Sequence, residues 1–172
     1  MRLAATGGRP VADVDGMLTF EIFFEREALM LYRRMCVVTR NPHEAEEITQ
    51  DAFLAIFERW DRVSAMDDPV GYLYRTAFNR WKKLARRAAR QTREIVGMAP
   101  ADAFGPIDER AVMDRAISAL SPRQRAAIVL TELLGYRAKE AAEILGVRAS
   151  TVRALASQGR AVLRQMLEAP DG

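Results

Sequence analysis

The stretch Ala138-Lys139-Glu140-Ala141-Ala142-Glu143-Ile144-Leu145-Gly146-Val147-Arg148-Ala149-Ser150-Thr151-Val152-Arg153-Ala154-Leu155-Ala156-Ser157 decides how the chain is read. It predicts two short helices that meet at a glycine. The first runs over Ala138 to Leu145, Gly146 makes the turn, and the second starts near Ala149. Glycine takes the left-handed conformation of such a turn at the least cost. Ala142 is small where the two helices cross, Val147 plugs the core, and Val152 and Leu155 are apolar where the second helix faces the first. Arg153, Ala154, Ser157 and Arg160 then point outward. This is the helix-turn-helix pattern, whose second helix fits a major groove. Arginine can grip guanine or phosphate, while Ser and Thr are small donors to either. Two residues sit awkwardly in the second helix. Arg148 occupies an N-cap position where a Ser or Thr is worth about 1 kcal/mol, and Gly159 costs about another 1 kcal/mol unless close packing requires it.

Working outward, other helix starts are written in similar terms. Ser121-Pro122-Arg123-Gln124 is a capping box with Pro in the first turn. Asn41-Pro42-His43-Glu44 and Asp68-Pro69 pair an N-cap side chain with a following Pro. From Pro42, the residues Ala45, Ile48, Ala52 and Ile56, with Phe53, Phe57 and Trp60 beside them, keep the three-and-four spacing of an amphipathic helix. Glu47, Gln50, Asp51, Leu54 and Glu58 occupy its opposite face. From Pro69, a stripe of Val70, Leu73, Tyr74, Ala77, Trp81, Leu84 and Ala88 opposes Arg75, Asn79, Lys82, Lys83, Arg86 and Arg90. No stretch alternates well enough to make a strand.

Charge is segregated along the chain. The 172 residues carry 26 basic and 23 acidic side chains, a net charge of only +3. Val70 to Arg93 nevertheless holds eight basic residues and no acidic one, and Glu44 to Asp51 holds four acidic residues and no basic one. Two oppositely charged faces predict two different partners. The basic helix also carries Tyr72, Tyr74, Phe78 and Trp81. Cations that hold phosphates beside rings that can stack bases suit a partly unpaired strand. Tyr74 and Trp81 lie on the apolar stripe and read as core, whereas Tyr72 and Asn79 lie on the basic side.

These elements predict an all-α chain of two small helical domains joined by a flexible linker, the C-terminal one containing the helix-turn-helix. Residues 1–14 read as a mobile N-terminus and 15–94 as the first domain. The Gly- and Pro-bearing segment 95–107 reads as the linker and 108–172 as the second domain. The apolar fraction of 49% is normal for a soluble chain. No apolar run approaches the length of a membrane span. The N-terminus lacks the apolar core of a signal peptide, so the expected compartment is the cytoplasm. The lone Cys36 reads as a buried small residue and cannot form an internal disulfide. One His and one Cys cannot build a structural zinc site. With His43 in an exposed first turn, no Ser-His-Asp set is available, and no Gly-rich phosphate loop is present, so no enzyme is expected.

These segments, in this order, resemble the extracytoplasmic-function sigma factors, small members of the sigma-70 class of bacterial RNA polymerase specificity subunits. The resemblance runs from about Phe20 to Leu167. Leu31-Tyr32-Arg33-Arg34 followed by Asn41 to Glu47 resembles the opening of the family's region 2. Glu47-Ile48-Thr49-Gln50-Asp51-Ala52-Phe53 resembles its polymerase-binding motif. That likeness implies a polymerase-binding set of Glu47, Ile48, Gln50, Asp51 and Leu54, directed at the β′ clamp helices. Gly71 to Arg80 resembles the segment that opens and reads the −10 element. It implies DNA contacts from Tyr72, Arg75, Asn79, Arg80, Lys83, Arg86 and Arg87, with a flipped base captured by the preceding loop, Asp61 to Asp68. Ala119 to Arg125 resembles the start of region 4. The helix-turn-helix would then read the −35 element through Arg148, Ser150, Thr151, Arg153, Ser157 and Arg160. The chain departs from the family at Arg148, often Ser there, and at Leu155 and Gln158, often Arg.

The resemblance implies a transcription initiation factor whose partners are core RNA polymerase, through the β′ clamp helices and the β subunit, and promoter DNA. It also implies an anti-sigma protein as a further partner, no cofactor, no membrane insertion and one copy per polymerase. A rival reading of the same pattern is a stand-alone dimeric helix-turn-helix regulator that binds a palindrome.

Overall fold

A computed structural model describes residues 18–91 and 107–168. The expected mobile segment 1–14 and all of the expected linker except Ile107 lie outside the described residues. The first half holds α1 (Phe20–Thr39), α2 (Pro42–Phe57), α3 (Trp60–Ser64) and α4 (Pro69–Gln91). The second holds α5 (Ile107–Ser118), α6 (Pro122–Ile128), a π-helical turn (Val129–Leu133), α7 (Ala138–Leu145) and α8 (Ala149–Glu168). Among the described residues there is no strand, as the sequence predicts.

The helix starts obey their local chemistry. Asn41 Oδ1 accepts from the amides of His43 and Glu44 at 3.0 and 3.3 Å. Ser121 and Gln124 close a reciprocal capping box at 3.3 and 2.8 Å. Asp68 Oδ1 accepts from the Gly71 amide at 2.8 Å. The α7 boundaries match the sequence reading, and Gly146 turns the chain in the left-handed region at φ 68°. Glu140 Oε2 accepts from the Arg137 amide at 2.8 Å and holds the start of α7. Gly159 is buried, and a Cβ there would lie 3.1 Å from Ile128, so the close crossing of α8 on α6 accounts for it.

Packing corrects two expectations. Phe57, grouped with the apolar stripe of α2, is 57% exposed. The loop expected over Asp61 to Asp68 is half helical, because α3 extends to Ser64 and buries Val63. The two halves also lie against each other. α4 packs on α7, and α1 packs on α6 and the π turn. One continuous core joins Leu31, Ile48 and Leu73 of the first half to Val129, Leu130 and Ile144 of the second.

Candidate nucleic-acid interface

Three faces carry the residues singled out from sequence. On α2, Ala45, Ile48, Ala52, Phe53 and Ile56 are buried. This turns Glu47, Gln50 and Leu54 outward and leaves Asp51 half-buried. Ile48 is therefore a correction to the predicted polymerase-binding set: it is fully enclosed and can only support the face from below. The exposed face continues in a direction the sequence reading missed. Leu54 and Phe57 are more than half exposed, Phe24 of α1 is 44% exposed, and Phe20 bridges Phe24 and Phe57 at ring distances of 6.2 and 4.9 Å. Exposed apolar side chains rimmed by carboxylates suit a protein partner better than a nucleic acid. The available signal was Phe57 standing three residues after Leu54, on the same helical face.

On α4, Leu73, Tyr74, Ala77, Phe78 and Trp81 are buried, so these rings belong to the core. Arg34 lies over the Tyr74 ring at 5.1 Å and donates to its hydroxyl. Arg75, Asn79, Arg80, Lys83, Arg86 and Arg87 are all exposed, and Tyr72 is half-buried beside them. The basic face thus exists as a surface. It does not stand apart from the acidic one: Arg80 pairs with Asp51 at 2.6 Å. The expectation of two separate faces is corrected at this point, where α2 and α4 pack together. Lys82 differs from its neighbours. Its ammonium donates to the Ile144 carbonyl at 2.6 Å, and burial, with Arg86 nearby, lowers its pKa.

On α8, Arg148, Ser150, Arg153, Ser157 and Arg160 are exposed and Thr151 is half-buried, while Val152 and Ala156 face the core. Arg160 pairs with Glu132 of the π turn at 2.6 Å, a tie that a phosphate would have to displace. A shallow cleft at the α2–α3 joint is lined by Phe57, Glu58, Arg59, Trp60, Asp61 and Arg62. Among the described residues no cluster of His, Cys, Asp and Glu could hold a metal ion, and no helix is long and apolar enough to cross a membrane.

Comparison with known proteins matches the chain in two stretches. Residues 23–91 match the model of sigma-70 region 2, and residues 110–163 match that of sigma-70 region 4. The ECF RNA polymerase sigma factor SigE of Mycolicibacterium smegmatis is 29% identical over 93% of this chain and 67% of its own length. The ECF RNA polymerase sigma factor SigM of Mycobacterium tuberculosis is 28% identical over 86% of this chain and 76% of its own. In fold, the chain is similar to the sigma factor RpoE from Bartonella quintana, solved in complex with the anti-sigma factor NepR. That likeness has a TM-score of 0.70 and 22% identity, covering 88% of this chain and 98% of the other. CnrH, solved in complex with the cytosolic domain of CnrY, has a TM-score of 0.56 at 23% identity, covering 88% of this chain and 89% of the other.

Proposed function

Because the chain belongs to the sigma-70 family, among its extracytoplasmic-function sigma factors, we propose that it binds core RNA polymerase and directs it to promoters through −10 and −35 elements. The observation that carries this reading is the chemistry of the exposed faces, which adjoin at the Arg80–Asp51 pair. An acidic and apolar face on α2 suits a protein, and exposed basic faces on α4 and α8 suit DNA. Glu47, Gln50, Asp51 and Leu54, extended by Phe57, dock on the β′ clamp helices. Arg75, Asn79, Arg80, Lys83, Arg86 and Arg87 hold the opened −10 strand, with Tyr72 at their edge as the stacking ring. Arg148, Ser150, Thr151, Arg153, Ser157 and Arg160 meet the −35 duplex and the β subunit supports that half. The factor acts in the cytoplasm as one copy per polymerase and needs no cofactor, since the covalent chemistry belongs to the polymerase. An anti-sigma protein is a natural further partner, because the sigma factor RpoE of Bartonella quintana, which is similar in fold, was solved in complex with one.

Reconstitution tests the reading. Core polymerase with this chain, offered a random promoter library, is expected to start transcripts from a shared pair of elements. Transcription no better than with core alone would reject it.

A further inference from the structure

Helix α8 presents a cationic stripe to solvent. Arg153, Ser157, Arg160 and Arg164 follow one another at three- and four-residue intervals, and all four are exposed. Val152, Ala156 and Gly159, on the other side, are buried. α8 carries no acidic residue before Glu168, so its outer face offers phosphate an unbroken positive field. A carboxylate nevertheless reaches that stripe from another element. Glu132 of the π turn accepts from Arg160, Oε1 to Nη1, at 2.6 Å.

The fold puts the carboxylate there. Gly159 lets α8 cross α6 so closely that a Cβ would lie 3.1 Å from the Ile128 side chain. Arg160 is the next residue of α8, and Glu132 stands four residues beyond Ile128. The π turn that carries Glu132 is closed by the Leu134 amide on the Val129 carbonyl at 3.0 Å. Such wide turns recur at functional sites. The Thr131 hydroxyl lies 3.3 Å from Glu132 Oε1 and donates to it, so the same oxygen accepts from Thr131 and from Arg160. The carboxylate is held from two sides.

Stability does not account for the pair. Arg160 and Glu132 are 46% and 44% exposed, and an ion pair so open to water contributes little to folding. DNA binding is where it acts. Arg160 has to leave a carboxylate before it can meet a phosphate, and the bared carboxylate then stands in the negative field of the duplex. Carried on the same chain, it is always at hand to take the guanidinium back. Resting on the reading of α8 as the helix that meets the −35 duplex, we infer that Glu132 is an internal competitor for phosphate at Arg160. It sets how tightly the chain holds duplex DNA, whatever the sequence. A carboxylate that instead oriented Arg160 toward a base would act with the opposite sign, since its loss would weaken binding.

The test measures the anisotropy of a labelled mixed-sequence duplex titrated with the full chain over a range of salt. Four proteins are compared: unaltered, Glu132→Gln, Arg160→Ala and the double variant, each checked for unchanged helical circular dichroism. Glu132→Gln keeps the shape of the side chain and removes its charge. It is expected to tighten binding about three- to fivefold at low salt. It is also expected to steepen the fall of log affinity with log salt, by up to about 0.9. With Arg160→Ala in place, most of that gain is expected to vanish. A gain of the same size in both backgrounds would overturn the competition, because the carboxylate would then be acting without Arg160. Unchanged or weaker binding by Glu132→Gln would overturn it as well. Binding seen only with Glu132→Gln would support it, and no binding by either protein would overturn it. A chain that shows the gain but does not bind core polymerase would reject the initiation-factor reading and leave the competition standing.

Discussion

Asp51 and Arg80 are partly exposed, at 32% and 45%, and a pair in that setting adds at most about 1 kcal/mol of stability. Its interest lies in what it joins, a residue proposed to face polymerase and one proposed to face DNA. Arg80→Ala is therefore expected to leave the melting temperature nearly unchanged while altering both polymerase affinity and promoter opening. An effect on DNA alone, in separate binding assays, would show the pair to be incidental. Gly71 makes a stability argument. A Cβ there would strike the Asp68 carboxylate that caps α4 and would lie 2.9 Å from the Tyr136 hydroxyl. Gly71→Ala is expected to lower stability by about 1–3 kcal/mol, combining the lost cap with overpacking. An unchanged denaturation midpoint would contradict this.

At the scale of elements, α7 and α8 were legible because their signals are local. Gly146, the small Ala142 and the apolar Val152 lie within eleven residues of one another, and the boundaries follow from them. The caps at Asn41 and Ser121 were readable for the same reason. The exposed face of α8 makes a separable prediction: Arg153→Ala is expected to weaken duplex binding by about 1–3 kcal/mol if the side chain reads a base. Thermal stability should stay the same, since the side chain is exposed. Equal duplex affinity would remove Arg153 from the interface. What the sequence hid depends on distant contacts. Lys82 looked like one more cation of a basic face, yet its partner is 62 residues away, and the acceptor of Arg125 lies 87 residues away. The π turn at Val129–Leu133, which leads into Tyr136, carries no local mark.

For the whole molecule, a core shared by both halves predicts one cooperative thermal transition, checked by calorimetry, where independent domains would give two. Tyr136 reports on the same junction. Burial first, then the Asp68 charge, pushes its phenol up to about 12, with Tyr74 and Glu140 adding and Arg75 opposing. The packed state favours the neutral phenol. Its contribution is whole below about pH 10 and is lost as pH rises toward about 12. The Tyr136→Phe variant should lose that part of the alkaline dependence, read from denaturation midpoints across that window. The central claim remains that the α2 face binds polymerase. It is tested most directly by titrating the labelled chain against core RNA polymerase without DNA. One-to-one binding, weakened by about tenfold or more in Leu54→Arg, is the predicted result. A folded chain that does not bind core polymerase, or that binds equally well with Leu54→Arg, would contradict it.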